Sequence, residues 1–98
     1  MRKVTKMVSS AFLNGRSAKM GNTETDGTAM YLHGNKIAWW DEAGDLWIIT
    51  CGWGTVTTRD RLNALWGVSV TQKNWALYLN GEEWDGKPIK IEGQKRSA

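Results

Sequence analysis

Tyr31-Leu32-His33-Gly34-Asn35-Lys36-Ile37-Ala38-Trp39-Trp40 places two apolar runs on either side of a glycine-containing turn, and echoes of it recur along the chain. Phe12-Leu13-Asn14-Gly15 precedes it and Tyr78-Leu79-Asn80-Gly81 follows it, so the order aromatic, Leu, Asn or His, Gly occurs three times. Asn-Gly is the strongest short-range hairpin signal, because a two-residue type I′ turn needs positive φ at both central positions. Asn tolerates that region and Gly adopts it freely. The three motifs therefore predict three hairpins, although matches of four residues are too short to define a duplicated unit.

Working outward, Met30 and Leu32 share one set of alternate positions, and Ile37 and Trp39 another, as expected for a half-buried antiparallel pair spanning 28–32 and 36–40. On the N-terminal side, residues 6–13 read as a strand that turns at Asn14-Gly15 into a short return strand, 16–20. A polar loop follows and ends in Asp26-Gly27. On the C-terminal side, the acidic turn Asp41-Glu42-Ala43-Gly44-Asp45 leads into Leu46-Trp47-Ile48-Ile49-Thr50-Cys51, an apolar run that predicts a central strand covered on both faces.

One helix is expected over residues 57–67, with Thr57 as N-cap, Asp60 three residues on and Gly67 as its stop. Leu62, Leu65 and Trp66 form its apolar stripe. A hairpin turning at Lys73-Asn74, a turn at Asn80-Gly81 and an edge strand at Ile89-Lys90-Ile91 complete the pattern. The fold class is α+β: a mainly antiparallel sheet or small barrel of consecutive hairpins with one short helix packed on it. Ninety-eight residues make one small domain, 1–98, with flexible ends at 1–5 and 92–98.

The one cysteine, Cys51, excludes an intramolecular disulfide and leaves no partners for a Cys-based zinc site. No run approaches the roughly 20 apolar residues that span a bilayer, and Met1-Arg2-Lys3 is not followed by the apolar region of a signal peptide. A cytoplasmic protein without a membrane partner is expected. The net charge of +3 conceals a division along the chain. Residues 1–20 carry +5 and 87–98 carry +3, whereas 21–86 carry −5.

With these residues laid out, the chain resembles small accessory proteins of tailed bacteriophages. The resemblance rests on Phe12-Leu13-Asn14-Gly15, Thr25-Asp26-Gly27, Tyr31 through Ala38, Thr57-Thr58-Arg59-Asp60-Arg61-Leu62-Asn63, and Tyr78-Leu79-Asn80-Gly81 near Trp84-Asp85-Gly86. It implies a phage or mobile-element origin and no particular chemistry. Such proteins often act by binding host machinery, which implies an inhibitor or adaptor.

The motifs do not point to catalysis or to a cofactor. The single histidine, His33, falls in a predicted turn. Cys51 ends an apolar strand, where a thiol usually packs inertly. Asp41, Glu42 and Asp45 offer too few oxygen ligands for a hard cation. Gly52-Trp53-Gly54 lacks the third glycine of a dinucleotide loop.

Tryptophan carries more information, with seven in so short a chain. Trp39, Trp47, Trp66 and Trp75 have apolar neighbours and are expected inside. Trp40, Trp53 and Trp84 have polar or glycine neighbours and are expected at the surface, with Arg59 and Arg61 as polar partners in a binding site. The leading expectation is thus a non-enzymatic protein that binds a host protein or nucleoprotein complex. Alternatives are a small module for single-stranded DNA or RNA, resting on exposed aromatics and the basic ends, and a self-assembling virion component.

Overall fold

The computed structural model describes residues 3–50 and 55–95. Trp53 and Cys51 lie outside the described residues, as do the tail positions 96–98. The elements in order are α1 (Lys3–Leu13), β1 (Ala18–Met20), β2 (Thr23–Thr25), β3 (Ala29–Leu32), β4 (Asn35–Trp40), β5 (Asp45–Ile48), α2 (Val56–Leu62), β6 (Val70–Lys73), β7 (Ala76–Leu79), β8 (Glu82–Trp84) and β9 (Ile89–Lys95). The strands form two sheets, β1-β2-β3-β4-β5-β9 and β6-β7-β8, antiparallel throughout. This is the expected class, a mostly antiparallel α+β fold, with two helices where one was expected.

The additional helix replaces the strand expected over 6–13. Val4, Val8, Ala11 and Phe12 recur at helical spacing, and α1 turns Val8, Ala11 and Phe12 into the core. Ser9, the residue that spoils a period of two, is also buried and donates its hydroxyl to the Thr5 carbonyl one turn back. Asn14-Gly15 then stops a helix and does not turn a hairpin. Gly15 has φ 70°, the Arg16 amide donates to the Ala11 carbonyl and the Gly15 amide to the Phe12 carbonyl. Those two bonds define a Schellman motif. Positive φ serves a helix stop as well as a hairpin turn, so the dipeptide alone cannot tell them apart.

The second helix begins and ends earlier than expected. Thr55, not Thr57, is its N-cap and accepts from the Thr58 amide; Asn63, not Gly67, closes it. Leu62 and Leu65 are buried as the stripe requires, but Trp66 lies beyond the helix and is 49% exposed. Within the stretches expected to be flexible ends, residues 3–5 belong to α1 and 92–95 to β9.

One buried cluster joins both helices and both sheets through residues such as Phe12, Trp40, Leu46, Leu62, Leu79 and Trp84. The sheets are clamped where Thr50, after β5, donates its amide to the Gly86 carbonyl. Gly86 has φ +82°, and a Cβ there would fall 2.4 Å from the Thr50 hydroxyl oxygen, so only glycine fits.

A polar network ties the helices to β2. Buried Arg61 donates through Nε to the Thr23 hydroxyl at 2.8 Å, and through Nη1 to the Thr5 hydroxyl at 2.6 Å and the Asp60 carboxylate at 2.7 Å. Thr5 in turn donates to Asp60. A guanidinium that is 2% exposed is tolerated because its charge is paired and its Nε and Nη1 donors are engaged.

Candidate functional site

The burial pattern separates the two faces of the six-stranded sheet. Met30, Leu32, Ala38, Trp40, Leu46, Ile48 and Ile91 point into the core. Cross-strand partners share a face, so the opposite face follows from the register. It carries two rows, Lys19–Glu24–Tyr31–Lys36 and Ala29–Trp39–Trp47–Lys90. In these rows the three lysines are exposed, and Tyr31, Trp39 and Trp47 are half-exposed.

A β-bulge aligns the rows. Met30 pairs with Ala38 but Tyr31 pairs with Lys36, which makes Ile37 the extra residue and turns both Ile37 and Ala38 inward. On a regular strand Lys36 and Trp39, three positions apart, would face opposite sides; the bulge brings them to one face. Lys36 Nζ consequently lies 4.8 Å from the Trp39 ring centroid, within cation–π range.

The two indoles brace each other. Trp39 and Trp47 are cross-strand partners whose ring centroids are 6.1 Å apart with planes 7° from parallel. Trp47 Nε1 donates to Asp41 Oδ2 at 2.7 Å, while Asp41 Oδ1 accepts the Ala43 and Asp45 amides at 2.9 Å each. These donors, the Trp47 indole first and the Asp45 amide next, hold the Asp41 carboxyl below the usual carboxylate range. The acidic turn is therefore a mount for Trp47. Asp45 pairs with Lys95 at 3.0 Å.

A second aromatic feature stands at the tip of the β6–β7 hairpin. Lys73 pairs with Ala76, leaving Asn74 and Trp75 as the turn, with φ of 52° and 70°. Among the described residues, the other two-residue turns with positive φ at both positions are His33-Gly34 (52° and 77°) and Asn80-Gly81 (51° and 88°). Trp75 thus occupies the position where both of the others carry glycine, and it is 95% exposed. The hairpin was expected to turn at Lys73-Asn74 with Trp75 inside; the turn is one residue later and Trp75 is outside.

The surface residues expected from sequence are displaced accordingly. Trp40 is 4% exposed, stacked on Phe12 at 5.5 Å. Trp84 is 7% exposed and donates its indole N–H to the Lys87 carbonyl. Arg61 belongs to the buried network. Arg59 is half-buried in the groove between α2 and β6, away from the sheet rows. Local neighbours misassigned the tryptophans because burial is decided by strand parity: in Leu46-Trp47-Ile48 the flanking aliphatics take the core face and send the indole out. That alternation was visible in the sequence; the Ile37 bulge was not.

A cleft of about 420 Å³ lies between the β3–β4 turn and the start of α2, its described lining including Leu32, Ile37, His33 and four threonines. His33 is exposed, and its Nε2 lies 3.2 Å from Asn22 Nδ2. Among the described residues no group of three or more His, Cys, Asp or Glu is placed to hold a metal ion, and no helix is long and apolar enough to cross a membrane.

Fold and surface together define a small antiparallel α+β protein that presents tryptophan on the outer sheet face, at the β6–β7 tip and at Trp66 beyond α2. Its family is a phage one: the chain belongs to the Kyanoviridae Gp96 protein family, whose model matches residues 1–95. No curated protein and no solved structure matches it.

Proposed function

We propose that the chain is a non-enzymatic phage accessory protein that binds a host protein, acting as an inhibitor or adaptor, with Trp75 at the β6–β7 tip as its anchor. One observation carries this reading: a tryptophan that is 95% exposed occupies a positive-φ turn position where the two sister turns have glycine. A bulky residue in that region costs the fold on the order of 1–3 kcal/mol, and cost of this kind concentrates at binding sites. A large indole held on a short hairpin also loses little entropy on docking, the property that makes Trp a preferred interface anchor. The phage family supports an encounter with host proteins.

The test is capture from host lysate, with mass-spectrometric identification, using the full chain and Trp75→Gly. The variant restores the Asn-Gly turn and keeps the fold. A partner retained by the parent chain and lost by the variant is expected; the same partners on both would contradict the proposal.

A further inference from the structure

We infer that the outer face of the six-stranded sheet is a second binding site, distinct from the Trp75 tip, and that its ligand is single-stranded nucleic acid. The two rows supply the two chemistries that a nucleotide needs. Trp39, Trp47 and Tyr31 offer aromatic surface to bases, and Lys19, Lys36 and Lys90 offer charge to phosphates.

The placement is specific. Lys36 sits over Trp39, Lys90 is the strand neighbour of Trp47, and the Ile37 bulge puts Lys36 on this face at all. The central segment has a −5 charge that argues against a polyanion, but several of its acids lie off this face or are engaged by partners. Asp60 is in the Arg61 network and Glu82 and Glu83 are on the other sheet, while Asp45, on the Trp47 face of β5, is neutralised by Lys95. Glu24 lies within the rows, and Asp41 at their end is engaged by three N–H donors. An acidic peptide would match the lysines but offer nothing to the indoles. A duplex hides its base faces in the stack, so the strand is single.

The experiment is a fluorescence-polarisation titration of the full chain with a fluorescein-labelled oligothymidylate of roughly 15 nucleotides, near the upper site size of one such platform. Binding at low salt is expected, with log K falling against log salt at a slope of about −2 if three lysines contact phosphate. Lys36→Gln and Lys90→Gln alter exposed side chains and leave the core intact; each is expected to reduce the slope by about 0.7. Trp47→Ala is expected to weaken binding about tenfold or more, and Trp47→Phe, which keeps an aromatic face, to retain most of the affinity. Trp75→Gly is expected to bind like the parent chain, which separates this site from the tip. The inference is overturned by no binding at low salt, by slopes unchanged in both lysine variants, or by equal competition from duplex DNA or poly-glutamate.

Discussion

The outer sheet face and the β6–β7 tip both show tryptophan to solvent, but the fold holds them in opposite ways. Trp39 and Trp47 are half-exposed, stacked on each other and fixed at one end by Asp41. Trp75 is almost wholly exposed on a turn that the backbone would more easily make with glycine. The first arrangement stabilises the sheet that carries it, through a cross-strand aromatic pair worth roughly 0.5–1.5 kcal/mol beyond its area. The second works against the hairpin that carries it. An aromatic group that helps its own fold needs no further reason to be there; one that costs its fold does. Trp75 is therefore the better evidence for a partner, and the sheet face the better-defined geometry for a ligand.

The contrast is broken most severely at the residues both regions depend on. Trp40, next in sequence to Trp39, lies on the core side, and Trp40→Ala is expected to cost about 3–5 kcal/mol in denaturant unfolding. Arg61→Ala is expected to be of similar size, about 3–5 kcal/mol, because it leaves Asp60 without its buried partner. Values below about 1 kcal/mol would return these two residues to the surface roles that sequence suggested.

At the tip the sign should reverse. Trp75→Gly is expected to leave stability unchanged or raise it by up to about 1 kcal/mol, which for a chain of this size lifts Tm by as much as roughly 4–8 °C. A clear loss of stability would show that Trp75 supports its own hairpin.

The smallest effect is a titration. The folded Asp41 carboxyl lies below its unfolded value of about 3.9, so its contribution to the turn is fully present above that pH. It is lost as pH falls through the lower folded value. Carboxyl NMR should place the Asp41 midpoint below the ordinary aspartate value of about 3.9, with the Trp47 indole proton moving in step. A midpoint at the ordinary value would remove Asp41 as the mount for Trp47.

Much of this fold was legible in the chain. His33-Gly34 and Asn80-Gly81 turn the hairpins their residues promise, because both positions of such a turn require positive φ. Asn14-Gly15 misled, because the same φ preference also ends helices; the deciding signal was Val4, Val8, Ala11 and Phe12 upstream, read at a period of 3.6 instead of 2. The candidate site was less legible. Which of Trp39 and Trp40 faces out depends on strand register and on a bulge at Ile37, and both are set by pairing with β3 and β5. Trp75 was hidden for the opposite reason: no propensity favours tryptophan in that turn, so local chemistry points away from the observed conformation.

The most direct measurement is tryptophan indole NMR of the 15N-labelled full chain, with assigned side-chain signals, a soluble paramagnetic quencher, and then the oligothymidylate. The expected result is strongest broadening at Trp75, then Trp66, intermediate broadening at Trp39 and Trp47, protection at Trp40 and Trp84, and oligonucleotide-induced shifts confined to Trp39 and Trp47. Broadening of Trp40 or Trp84 as strong as that of Trp75, or shifts at Trp75 with none at Trp39 and Trp47, would contradict it.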